Sequence, residues 1–281
     1  SAKVKVWGGK IPVKFSLAKR EITAMEEPHS MFVLLPRISY LPLVTKTVRD
    51  HFVDYAPAIR EDMWFDFDGK PLRWHLPIGV LYDLVKDEVA LPWNITVHFT
   101  GYPTKELLPC RNLTAVTDHF FHCLKEACFL KYGSSSIIMK MSKGNHQLIE
   151  DALVSGEYKK IIEPSKEYTE SKSFKSPQSK LPVRVLLGKG FEPALQKIII
   201  QPPLELRDRK GVGYTLETGL QFMLPGVDLT RLQVLVHGIQ PPMTASLLWL
   251  SGQMCHADQF LYVCLHKKDP KASTLSSNSV T

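Results

Sequence analysis

At 281 residues the chain is long enough for two or three small domains, and 44% hydrophobic with 10% aromatic residues is the composition of a chain that buries real cores. Its net charge of +7 is spread out, with no Lys/Arg block interleaved with aromatics. That argues against nucleic-acid binding and is compatible with mild attraction to anionic membranes or acidic partners. No apolar run approaches about 18 residues, so no membrane-spanning helix is expected.

In chain order, Ile11 to Phe15 alternates as a short strand, and Met31 to Leu35 reads as a second strand ended by Pro36, which cannot donate to a ladder. Leu41 to Phe52 carries Leu43, Val44, Val48 and Phe52 at helical spacing. Trp64 to Phe67 alternates, Asp68-Gly69 is a hairpin turn signal, and Leu72 to His75 is expected to return as a strand. Ile78, Leu81, Tyr82 and Val85 then recur at helical spacing, and Asn94 to Phe99 alternates as a closing strand. Strand, strand, helix, hairpin, helix, strand is a ubiquitin-like β-grasp unit over residues 1–102.

From 103 to 163 the pattern turns helical. Val116, Phe120, Leu124 and Ala127 share a face, Gly133 and three serines break the first helix, and Ile137 to Leu153 offers a second. Residues 164–180, rich in Ser, Lys, Glu and Pro, read as a mobile linker. A second β-grasp unit is expected over 181–266. Its parts are a hairpin of Leu181 to Leu187 with Lys197 to Gln201, a helix at Tyr214 to Leu224, a strand at Val234 to Val236 and a His237-Gly238 turn. A short helix around Leu247 and a strand at Phe260 to Leu265 complete it. Residues 267–281 are expected to be a disordered tail. The fold class is therefore α+β, with two ubiquitin-like domains flanking a helix-rich one.

Candidate chemistry is sparse. The five cysteines include no CxxC pair and read as reduced, intracellular thiols. His119 and Cys123 are one turn apart, as two metal ligands would be, but Cys128 falls further along and no second cluster closes a site. Cys255-His256 and His122-Cys123 are adjacent in sequence, whereas a nucleophile and its base usually come from distant segments. Gly188-Lys189-Gly190 lacks the spacing of a phosphate-binding loop. No catalytic, metal or cofactor site is expected.

Several blocks carry a family resemblance: WGGKIP at Trp7 to Pro12, LLPRISYL at Leu34 to Leu41, PLRWHLPIG at Pro71 to Gly79 and LPWNITVHF at Leu91 to Phe99. HFFHCLKEACFLK at His119 to Lys131, HGIQP at His237 to Pro241 and LLWLS at Leu247 to Ser251 continue it. Together they resemble the autophagy protein 5 family over nearly the whole chain. The resemblance implies a non-enzymatic scaffold with a lysine at the end of the first helix of the helical domain, Lys131 by position. That lysine takes an isopeptide bond from the C-terminal glycine of the ubiquitin-like autophagy protein 12.

The resemblance further implies that a groove between the domains binds a helix of autophagy protein 16. The assembly then acts as a ligase-like platform on the conjugating enzyme for autophagy protein 8, promoting its lipidation at the phagophore membrane, to which the cytoplasmic chain is recruited peripherally. Lys131 lies where an amphipathic helix meets a glycine-serine loop, which is expected to expose it; Lys125 is the rival acceptor. Arg37, Leu41, Trp93, Asn94, Trp249 and Leu250 are candidate partner-binding residues, each with a plain structural alternative as a core or salt-bridged residue. A non-covalent adaptor with Lys131 unused is the alternative reading. A cysteine isopeptidase using Cys123 or Cys255 is a third, for which no assembled site is expected.

Overall fold

A computed structural model describes residues 2–57, 62–85, 90–110, 112–169, 180–191, 197–198 and 213–268. The chain opens with a short helix, α1 (Ala2–Trp7), which the sequence pattern did not announce, and enters β1 (Lys10–Leu17) and β2 (Met31–Pro36). A 3-10 turn at Leu41–Leu43 leads to α2 (Thr45–Phe52). There follow β3 (Trp64–Phe67), β4 (Lys70–Pro71), α3 (Ile78–Val85) and β5 (Trp93–His98). The sheet order is β2-β1-β5-β3-β4, with β1 and β5 parallel and the other pairs antiparallel. Asp68 and Gly69 take left-handed backbone at φ 51° and 73°, as a two-residue hairpin turn requires. The return strand is shorter than expected. Lys70 and Pro71 pair, Leu72 still donates its N–H to Phe65 O, and Arg73 to Leu76 then turn away to start α3.

The helical region holds α4 (Leu113–Tyr132), α5 (Ser136–Met139), α6 (Lys143–Ser155) and α7 (Ile162–Thr169). Asn112 caps α4 through Ala115 N–H, and Gly133 ends it at φ 71°, where a side chain would be strained. The expected single helix from Ile137 is two, because the Ser142 side chain accepts the Asn145 N–H and starts α6 afresh. Part of the expected linker is also helical. Pro164 falls in the first turn of α7, where its missing N–H costs nothing, and Pro164, Ser165 and Tyr168 bury one face. Residues 170–179 lie outside the described residues.

The second β-grasp unit has β6 (Val183–Leu187), β7 (Lys197–Ile198), α8 (Leu216–Met223), β8 (Leu232–Leu235), α9 (Leu247–Gln253) and β9 (Leu261–Lys267). Its order is β7-β6-β9-β8, again with the first and last strands parallel at the centre. His237 and Gly238, at φ 50° and 78°, make the turn that Asp68-Gly69 makes in the first unit. Lys267 and Lys268, expected in the tail, are tied in, through β9 and through the Lys268 N–H to Arg231 O; residues 269–281 lie outside the described residues.

The three units share their cores. Cys123 and Ala127 of α4, with Leu235, Phe260 and Tyr262 of the second unit, pack into the core built on β1, β3 and β5. Trp7, Tyr40, Trp74 and Ala257 in turn complete the helical core. Burying apolar surface across the junctions makes the units one packed body rather than beads on a string.

At one junction the His237 and His256 rings stack at 4.2 Å. His237 Nε2 faces Met254 O at 2.9 Å, so that nitrogen carries the proton of a neutral ring. Burial, with some help from the Arg37 charge, holds His237 down to about 3, and burial pushes His256 well below its usual value too. The unfolded chain binds protons at these histidines near pH 6.5, which the folded chain cannot accept until much lower pH. Stability is therefore full above about pH 6.5 and falls as pH drops, by about 1.4 kcal/mol per pH unit per histidine. Urea midpoints at pH 7.5 and 5.0 check this: His237→Asn should flatten the slope, and an unchanged slope would refute the assignment.

Candidate functional site

Lys131 occupies the last turn of α4, and its place in the fold overturns the expected exposure. It is only 7% exposed. The glycine-serine loop does follow it, but the side chain turns inward beneath the loop joining α9 to β9. Its Nζ donates to Gln259 Oε1 at 3.3 Å. Cys128 on its own helix, Lys3 on α1, and Cys255 and Asp258 on the covering loop are among the titratable groups that act on it. Burial holds its amine below the usual lysine value, because an ammonium loses more than an amine on leaving water. Lys125, the rival, is half-buried and thus the more accessible of the two.

The covering loop is built tightly. His256 N–H donates to Phe260 O, Gln259 N–H to His256 O, and Asp258 accepts both the Phe260 N–H and the Tyr262 hydroxyl. Trp7 Nε1 donates to Cys255 O at 2.8 Å, so α1 clamps the same loop. The clamp explains why WGGKIP begins with a tryptophan.

Of the candidate partner-binding residues, four are internal. Leu41, Trp93 and Leu250 are core residues with essentially no exposed surface, since each points to the packed face of its element. Arg37 pairs with Asp83 at 2.5 Å and donates to Gly79 O at 3.2 Å. Its guanidinium also lies against Gly238, so the LLPRISYL, PIG and HGIQP blocks meet at this one side chain. Asn94 is exposed on β5, and Trp249 is 53% exposed on α9. Nothing brings Asn94 and Trp249 into one described cluster.

Sequence reasoning missed a cavity of about 380 Å³ between α2, β3 and the segment leading into α4. Leu41, Leu43, Arg49, Trp64, Trp74 and Leu113 line it, so the candidate Leu41 does reach its wall. Its walls come from three separate stretches, so no local motif marks it. Sequence reasoning also missed Arg184, which ties β6 to α4 through Glu126. Among the described residues, no group of three His, Cys, Asp or Glu side chains suits a metal ion, and no helix is long and apolar enough to cross a membrane.

Comparison with known proteins decides the family. Models of the autophagy protein ATG5 match in three parts: the UblA domain at residues 6–99, the alpha-helical bundle region at 113–162 and the UblB domain at 180–265. The chain is 32% identical over 274 residues to Autophagy protein 5 of Drosophila melanogaster, covering 94% of this chain and 96% of that one. The chain belongs to the autophagy protein 5 family. A second member of the family, Autophagy protein 5 of Arabidopsis thaliana, is 31% identical over 258 residues, covering 78% of this chain and 76% of its own. The crystal structure of Kluyveromyces marxianus Atg5 superposes with a TM-score of 0.78, covering 94% of this chain and 98% of its own. At 22% identity that likeness speaks for the fold. Membership of the autophagy protein 5 family gives the chain a role in autophagy.

Proposed function

We propose that the chain is a conjugation scaffold in which the Lys131 amine accepts a ubiquitin-like protein, autophagy protein 12. The observation that carries this reading is the desolvated amine at the end of α4, in the last turn of the HFFHCLKEACFLK block. A lysine shielded from water holds its proton less tightly and presents more of the free amine at neutral pH. In the transfer, the Nζ lone pair attacks the thioester carbonyl carried by a conjugating enzyme. The isopeptide bond forms, the enzyme's thiolate leaves, and the amine proton passes to a base that the enzyme supplies. The scaffold contributes position rather than bond chemistry.

The cavity lined by Trp64, Trp74 and Leu113 is the groove proposed for an apolar face of the autophagy protein 16 helix. The conjugate would then serve as a ligase-like platform for the lipidation of autophagy protein 8 at the phagophore membrane.

A second reading, a non-covalent adaptor with Lys131 unconjugated, is favoured by the same burial, since the amine must emerge before it reacts. Denaturing gel electrophoresis after reaction with activated autophagy protein 12 and its conjugating enzyme separates the two. The scaffold reading expects one shifted band in the native chain and none in Lys131→Arg. A pair that comes apart in the gel supports the adaptor.

A further inference from the structure

Gln259 is an unusual residue to find at the centre of the covering loop. It has left-handed backbone at φ 68°, which costs a side chain of its kind, and it is almost fully buried. Its amide is engaged at both ends: Oε1 accepts from Lys131 Nζ at 3.3 Å and lies 3.9 Å from the Cys255 thiol, while Nε2 donates to Ala257 O at 3.4 Å. The loop that carries it belongs to the second β-grasp unit, whereas Lys131 belongs to α4, 128 positions earlier. A neutral amide is also the fitting partner for an amine in transit. It accepts a hydrogen bond from either protonation state without locking in the ammonium, as a carboxylate would.

We propose that Gln259 is a positioning residue that keeps Lys131 retracted beneath the 255–260 loop, so that the acceptor amine is released only when that loop opens. This rests on the reading of Lys131 as acceptor. The second ubiquitin-like unit thereby controls access to a nucleophile on the helical domain. A conjugating enzyme that displaced the loop would meet an amine already stripped of its hydration, consistent with the amine's lowered affinity for protons. Among the charges that act on the amine, Asp258 favours the ammonium and Lys3 disfavours it.

Pulse acetylation of the full chain with acetic anhydride, read lysine by lysine by mass spectrometry between pH 6.5 and 9.5, tests this without any conjugation partner. Native Lys131 should label at least about tenfold more slowly than half-buried Lys125, because it reacts only through local opening. Gln259→Ala should speed Lys131 labelling about fivefold, the worth of one lost hydrogen bond, and leave Lys125 unchanged. Gln259→Glu should slow it and move its pH midpoint upward, since the new carboxylate holds the ammonium. Native Lys131 labelling as fast as Lys125 would overturn the proposal. So would equal acceleration at both lysines in Gln259→Ala, or an unmoved midpoint in Gln259→Glu. A conjugate branched at Lys125 would sink the acceptor role while leaving these labelling results standing.

Discussion

Arg184→Ala should lower the unfolding free energy by about 3–5 kcal/mol, the cost of removing one partner from a buried charged network. The guanidinium is 2% exposed and makes contacts in several directions. Nη2 donates to Glu126 Oε2 at 2.6 Å, and Nη1 donates to Tyr262 Oη at 2.9 Å and to Cys123 Sγ at 3.3 Å. Its Cζ lies 3.6 Å from the centre of the Phe260 ring. Without it, Tyr262 loses a donor and the buried Asp258 loses the opposing charge. Burial already raises the Asp258 carboxyl above the usual value, against the pull of Arg184. Glu126 is 40% exposed and is rehydrated when the arginine goes, whereas Glu126→Ala strands the buried guanidinium with only Tyr262, Cys123 and the Phe260 ring, so it should cost about 2 kcal/mol, less than Arg184→Ala. Guanidinium chloride titrations of both variants check this. Equal losses would show that the arginine matters only through its surface partner, and the junction between α4 and the second unit would need another explanation.

Gly79→Ala should cost about 2–3 kcal/mol by overpacking. A Cβ at Gly79 would come within 2.8 Å of both Arg37 Cβ and Arg37 O, and the Gly79 N–H already donates to that carbonyl at 2.6 Å. Backbone on the receiving side cannot move aside as a side-chain tip can. The methyl would push Arg37 off Asp83 and off Gly238, loosening the first unit from the second. Gly144→Ala is the control, since Gly144 lies in α6 with nothing nearer than 4.0 Å to the new methyl. There the helix should gain up to about 1 kcal/mol. Thermal melts of the two variants should move in opposite directions. Parallel shifts would mean that the close approach at Arg37 is relieved elsewhere.

The two-unit architecture was legible because hydrophobic period does not depend on tertiary context. Ile11 to Phe15 and Phe260 to Leu265 alternate or run apolar, Asp68-Gly69 demands left-handed backbone, and Ile78 to Val85 repeats at helical spacing. Elements with one buried face and many polar residues escaped. In α7 only Pro164, Ser165 and Tyr168 are buried, so composition read as linker what packing makes a helix. The partner-binding candidates were less legible. Trp93, Leu41 and Leu250 are large and apolar, and sequence cannot say whether such a residue faces a core or a partner; all three are buried, and Leu41 also lines the cavity beside α2. Lys131 was misjudged for a related reason. Its exposure was read from the loop that follows it, but the side chain turns inward and meets Gln259, which arrives from the far end of the chain. Contacts between distant segments leave no local periodic trace, and the same holds for Arg37 and Arg184.

One amine, which meets the second ubiquitin-like unit at Gln259, is the proposed point of attachment. Tryptic mass spectrometry of the purified conjugate reads this directly. The account predicts a single branched peptide carrying the C-terminal glycine of autophagy protein 12 on Lys131, with Lys125 cleaved normally. A branch on Lys125, or a complex that yields no branched peptide at all, would contradict it.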